Sequence, residues 1–118
     1  MKNILIIDDS MFQRKMLTDA LIEMGYEVSQ AENGAKGIEI FKELKPDCVV
    51  TDLLMPDMSG QEVIKKIKEI TPNQKMLVIS ADIQLSIKNE CIALGIAGFL
   101  NKPFNKVELK NILENLLG

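Results

Sequence analysis

Three short runs of this chain are apolar without interruption, and each is followed by polar or acidic side chains. Ile4-Leu5-Ile6-Ile7 is closed by Asp8-Asp9. Cys48-Val49-Val50 lies in a stretch from Asp47 to Asp52. Met76-Leu77-Val78-Ile79 ends at Ser80. A strand with one wet face alternates apolar and polar residues, whereas a continuous apolar run fits a strand covered on both faces in a parallel sheet.

Amphipathic stretches of helical length separate these runs. Ser10 and Gln13 form a capping box ahead of Phe12, Met16, Leu17, Ala20, Leu21 and Met24, and Gly25 ends that helix. Tyr26 to Ala31 reads as a strand. Asn33 or Gly34 opens a second helix, with Ile38, Phe41 and Leu44 on its inner face and Pro46 as its stop. Ser59 with Glu62 opens a third, carrying Val63, Ile64, Ile67 and Ile70 up to Thr71-Pro72. Asp82 is placed to cap a fourth, with Ile87, Cys91 and Leu94 on one face and Gly95 at its end. Ala97 to Leu100 is a short fifth strand. Asn105 with Glu108 precedes the last helix, which carries Leu109, Ile112, Leu113 and Leu116. Five strands alternating with five helices give an α/β domain with helices on both faces of the sheet. Its 118 residues, 1–118, make one domain.

Composition narrows the function. The net charge of −3 argues against nucleic acid as the main partner. No apolar run is long enough to insert in a membrane, and Met1-Lys2-Asn3 leads straight into a strand, so a cytoplasmic protein is expected. The chain contains no histidine, which removes Ser-His-Asp triads, Cys-His dyads and the usual zinc sites. Cys48 and Cys91 each sit in an apolar pattern and read as buried thiols. Met11, Met16, Met24 and Met76 read as core or core-edge fillers, and Met55 and Met58 as loop residues able to cover a site. Lys65, Lys66 and Lys68 read as a solvated helix face.

Ligands of open parallel sheets bind beyond the carboxyl ends of the strands. Strand one delivers Asp8 and Asp9 there, strand three Asp52, strand four Ser80, and strand five Lys102, while strand two offers Glu32 and Asn33. Each alone is ordinary turn chemistry. Together, three crowded carboxylates need compensation, which a lysine and a hard divalent cation such as Mg²⁺ supply. Such a set can clamp a phosphoryl group while a carboxylate attacks it. Asp52, from a central strand, is the best nucleophile; Asp8 and Asp9 suit the metal; Lys102 and Ser80 suit the phosphoryl oxygens. No Gly-rich nucleotide loop is present.

The ordered set Asp8-Asp9, Asp52 with Met55-Pro56 and Ser59-Gly60, Ser80-Ala81, and Phe99 with Lys102-Pro103-Phe104 resembles the receiver domain of two-component response regulators. The layout is nearest to the stand-alone, CheY-like type, and the resemblance spans Lys2 to Leu117. It implies a doubly wound, flavodoxin-like sheet in the order 2-1-3-4-5. It implies that Asp52 accepts a phosphoryl group from a histidine kinase. Mg²⁺ (or Mn²⁺) would be held by Asp9, Asp52 and the backbone carbonyl of Leu54, with Asp8 acting through water. Ser80 and Phe99 would be switch residues, Lys102 would pair with the phosphate, and Lys102-Pro103 would be cis. The chain would then be no enzyme in the ordinary sense, catalysing only its own phosphorylation and dephosphorylation. Its switched face, formed by helix four, strand five and helix five, would alter binding to a downstream target protein. A phosphatase is a further expected partner, and the chain would be a monomer or weak dimer. Chemotaxis enters by analogy with other stand-alone receivers.

Three positions depart from the common family pattern. Phe99 stands where many relatives have tyrosine, Leu54 is apolar two residues past the acceptor, and Asp82 is acidic two past Ser80. The last two border the path of attacking water. Two other readings compete. A phosphorylation-independent signalling scaffold would keep the fold without the chemistry. A haloacid-dehalogenase-like phosphohydrolase would need a second Asp at position 54 and room for a cap domain. Gly118 ends the sequence after the fifth helix, so no DNA-binding output domain is expected.

Overall fold

The computed structural model describes residues 1–82 and 84–118. Its elements are β1 (Asn3–Ile7), α1 (Met11–Glu23), β2 (Glu27–Ala31), α2 (Gly34–Leu44), β3 (Cys48–Thr51), α3 (Gly60–Ile70), β4 (Lys75–Ser80), α4 (Leu85–Ala93), β5 (Gly98–Asn101) and α5 (Lys106–Leu117). All strand pairs are parallel and the sheet order is β2-β1-β3-β4-β5. This is the doubly wound, flavodoxin-like arrangement that the sequence leads one to expect.

Two cores follow from the period of two along each strand. Leu5, Ile7, Val49, Met76 and Val78 face one side, where Phe41 of α2, Val63, Ile64 and Ile67 of α3 and Cys91 of α4 close over them. Ile4, Ile6, Cys48, Val50, Leu77 and Ile79 face the other, under Leu17 and Leu21 of α1 and Leu109 and Leu113 of α5. The continuous apolar runs are thus divided residue by residue between two helical layers. Both cysteines are free and buried, and burial pushes the Cys48 thiol up to about 12. No helix among the described residues is long and apolar enough to cross a membrane.

Side-chain caps set most helix starts. Ser10 accepts from Gln13 N, Asn33 from Lys36 N, Ser59 from Glu62 N, and Asn105 from Val107 N and Glu108 N. Gly25 and Gly95 follow α1 and α4 at positive φ, 97° and 95°. At the end of α2 the left-handed position is held by Lys45, at φ 51°, immediately before Pro46.

Some expectations require correction. Asp82 does not cap α4. That helix starts at Leu85 after Gln84, and Asp82 Oδ1 instead accepts from Gln84 N at 2.9 Å in a local turn. Met11 and Phe12 are not core fillers: they are 77% and 67% exposed, and Met16 is exposed as well. The reason is geometric. α1 packs through Leu17, Ala20 and Leu21, all beyond its first turn. Ile70, in the last turn of α3, is likewise exposed. Met55 and Met58, partly buried, pack against the core of the α2, α3 and α4 layer.

Candidate functional site

β1 runs out of the sheet into Asp8 and Asp9, and β3 beside it runs into Asp52. Register fixes their proximity: Ile7 pairs with Thr51, so the acidic residues leave adjacent strands at the same level. Asp52 N donates to Ile7 O at 3.0 Å, and Asp8 N donates to Ala31 O at 3.1 Å. Asp8 is buried and Asp52 is 9% exposed, while Asp9 stands in solvent. One carboxylate oxygen from each of the three lies within 4.8 Å of the others.

β5 supplies the counter-charge. Lys102 Nζ donates to Asp8 Oδ2 and to Asp52 Oδ2, both at 2.9 Å. Its backbone N donates to Ser80 O at 2.9 Å, which ties it to the end of β4. The Lys102-Pro103 bond is cis, as expected. Burial alone would push the ammonium pKa down. The hydrogen bonds to Asp8 and Asp52 outweigh that, and the net shift is upward.

The remaining acceptor oxygens are partly used. Asp8 Oδ1 accepts from Ser10 N at 2.9 Å and Asp52 Oδ1 accepts from Leu53 N at 2.7 Å. These bonds orient the two carboxylates and leave their other oxygens to Lys102. At the start of α3, a Cβ on Gly60 would lie 2.2 Å from Asp52 O, so no larger residue fits there without moving the acceptor strand.

Ser80 is buried at the end of β4, and its hydroxyl accepts from Asp82 N at 3.1 Å. Phe99 on β5 pairs with Val78 and packs partly buried against the core of the α2, α3 and α4 layer. The Leu54 side chain is 72% exposed, two residues beyond Asp52. The structure therefore brings Asp8, Asp9, Asp52 and Lys102 into one cluster, and sets Ser80 and Phe99 on the neighbouring strands.

Three supporting residues escape a reading of the sequence. Arg14 donates through a guanidinium N to Asp8 O at 2.7 Å, and Thr51 Oγ1 donates to Asp52 O at 2.8 Å. Asp57 accepts from Gly34 N at 3.1 Å and Ala35 N at 2.8 Å, joining the loop after β3 to the start of α2. Arg14 follows the Ser10 cap by four residues, which offers a weak helical-spacing signal. Asp57, after Pro56, reads only as a turn residue.

The cluster suits a hard divalent cation. Three carboxylates and one ammonium leave two formal negative charges. Oxygens bound to one Mg²⁺ stand roughly 3–4 Å apart, given bonds of about 2.1 Å in an octahedron. The observed spread is close to that and needs only small side-chain adjustment.

A family model described as the response regulator receiver domain matches residues 4–114. The chain belongs to the response regulator receiver family. This receiver is 46% identical over 104 residues to the chemotaxis protein CheY of Thermotoga maritima, covering 87% of each chain. It is 42% identical over 102 residues to CheY of Bacillus subtilis, covering 86% of this chain and 85% of that one. Among solved structures, CheY4 of Vibrio cholerae matches with TM-score 0.93 and 30% identity over 99% of both chains. TrrA of Thermotoga maritima, solved in complex with Mg²⁺-BeF, matches with TM-score 0.91 and 33% identity, over 99% of this receiver and 100% of that chain. The receiver is thus of the CheY-like type, a class whose chemistry is phosphorylation on aspartate within two-component systems.

Proposed function

We propose that this receiver takes a phosphoryl group from a partner histidine kinase onto Asp52, and that the modified form binds a target protein differently. The observation that carries the reading is Lys102 Nζ placed 2.9 Å from both Asp8 Oδ2 and Asp52 Oδ2. An ammonium there can follow charge from the free carboxylate to an acyl phosphate.

An oxygen of the Asp52 carboxylate attacks phosphorus, the phosphorus–nitrogen bond of the donor phosphohistidine breaks, and its electron pair returns to the imidazole. Hydrolysis of the mixed anhydride later returns the carboxylate and inorganic phosphate. The chain thus turns over only its own modification.

Asp9, Asp52 and the Leu54 carbonyl are the expected direct ligands of Mg²⁺, with Asp8 acting through water. When bound, Mg²⁺ neutralises charge on the transferring oxygens. The chain's own groups do the positioning. Leu53 N fixes one Asp52 oxygen, Ser10 N fixes one Asp8 oxygen, and Lys102 holds the other oxygen of each. That the related TrrA was solved in complex with Mg²⁺-BeF supports a role for Mg²⁺ in this receiver.

Switching follows from the connection of Lys102 to Ser80. Phosphorylation adds charge and acceptor oxygens at the sheet edge. Ser80 and Lys102, joined through Lys102 N and Ser80 O, can respond together. Phe99 lies on the neighbouring strand, two residues before the Ser80 partner Asn101, and the face expected to change is the one formed by α4, β5 and α5. A coupling on the order of 1–3 kcal/mol to a partner reading that face is the usual size for such effects. Incubation with acetyl phosphate and Mg²⁺, followed by intact mass, tests the reading. The native chain should gain one phosphoryl group and Asp52→Ala none; equal gain by both, or by neither, overturns it.

A further inference from the structure

The loop between β3 and α3 is held at both ends. At its start Leu53 is buried and its carbonyl accepts from Gly60 N at 2.9 Å. At the far side the Asp57 carboxylate grips α2, taking Gly34 N on Oδ1 and Ala35 N on Oδ2. Only Leu54, Met55 and Pro56 lie between these anchors, and Pro56 has a fixed φ. The α2 cap on its own segment, Asn33, satisfies Lys36 N and leaves the two earlier amides to Asp57.

α2 is in turn keyed to β1. A Cβ on Gly37 would lie 2.4 Å from Ile7 Cδ1, and one on Gly34 would lie 2.3 Å from Met58 Cγ. The helix therefore touches the strand that delivers Asp8 and Asp9 at one point, and the loop after Asp52 at another. It acts as a strut between the two halves of the acidic cluster.

We propose that Asp57 is a positioning residue that, by capping α2 across the loop, holds the Leu54 backbone in place for a divalent cation bound by Asp9 and Asp52. The inference rests on the phosphoacceptor reading above. The loop of three free residues is short enough that the tether sets where Leu54 stands, and the cost of ordering it is met on folding rather than on cation binding. A carboxylate suits the position because two amides at the positive end of a helix face it.

Calorimetric titration of the native chain with Mg²⁺ at fixed ionic strength tests this, alongside Asp57→Ala and Asp57→Asn. Loss of the tether should weaken Mg²⁺ binding about fivefold in Asp57→Ala, the size of one lost cap, while Asp57→Asn, whose single acceptor oxygen keeps one of the two bonds, should weaken it less, about twofold. Equal binding by native and Asp57→Ala overturns the inference and leaves the phosphoacceptor reading standing. Weakening by Asp57→Asn equal to or greater than that by Asp57→Ala also overturns it, since the one hydrogen bond that Asn retains would then count for nothing. A native chain that takes up no Mg²⁺ overturns both. A second readout uses the native chain alone. By reciprocity of coupling, Mg²⁺ should slow hydrogen exchange at the Gly34 and Ala35 amides; unchanged exchange there, with Mg²⁺ bound, overturns the inference.

Discussion

Asp8 and Asp52, forty-four positions apart on neighbouring strands, present their Oδ2 atoms to the same ammonium at the same distance, 2.9 Å. Neither carboxylate has the lysine to itself. Any charge added at Asp52 competes with Asp8 for Lys102, and any charge removed releases it. Most of the behaviour expected of this receiver follows from that shared bond.

Removing the shared cation should be costly in the absence of metal. Lys102→Met leaves two nearly buried carboxylates facing each other, and should lower the unfolding free energy by about 2 kcal/mol in EDTA. Mg²⁺ should restore part of the loss. Urea unfolding with and without Mg²⁺ measures both, and a variant as stable as the native chain in EDTA counts against the bridge.

Asp9 should behave in the opposite sense. It stands in solvent and has no part in the ion pairs of Lys102, so without metal it adds chiefly repulsion. Asp9→Asn should raise metal-free stability by about 0.5 kcal/mol, a figure kept small by solvent screening. The same change should remove most of the stabilisation by Mg²⁺, which for a single site at a hundredfold excess over Kd is about 2.7 kcal/mol. Thermal unfolding across a Mg²⁺ series checks both signs.

Asp57 should leave a signature in acid. The hydrogen bond from Ala35 N holds its carboxyl below the ordinary carboxylate range, with burial opposing it and Gly34 N adding to it. A lowered folded pKa contributes stability that is present above the unfolded value, about 3.9, and is lost as pH falls through the folded value. Asp57→Asn should therefore be less stable than native at pH 7, by about 0.5 kcal/mol for so exposed a group. The gap should close below pH 4. A gap independent of pH would contradict the assignment.

Leu54 should lengthen the life of the acyl phosphate. Its side chain is largely exposed beside Asp52, where water must approach. Leu54→Asn replaces an apolar obstacle with a group able to orient water, and should shorten the half-life several-fold. Phosphate release after removal of the donor measures it; an unchanged or longer half-life counts against the role.

The acidic cluster is legible in the sequence because a parallel sheet sends every strand end to one edge. Asp8, Asp9, Asp52 and Lys102 needed only correct strand boundaries to be brought together. Ser80 falls at the same edge for the same reason. Features made by contacts between distant loops are less visible. Asp57 meets α2 across more than twenty residues with no periodic pattern linking them. Lys45 holds a left-handed turn where no Gly or Asn announces one. Met11 and Phe12 are apolar residues in the first turn of α1 yet stay exposed, since periodicity gives a face but not where the core stops. Asp82 and Gln84 show the same ambiguity at a helix start, where a turn residue and a cap residue are drawn from the same side chains.

Location of the modified residue is the most direct test of the account. The receiver would be treated with acetyl phosphate and Mg²⁺, reduced with borohydride, which converts an acyl phosphate to an alcohol, and sequenced by tandem mass spectrometry. Homoserine is expected at position 52 and nowhere else, with none formed when Mg²⁺ is withheld. Homoserine at position 8 or 9 in place of 52, or an unmodified Asp52 under conditions that label a control receiver, would contradict it.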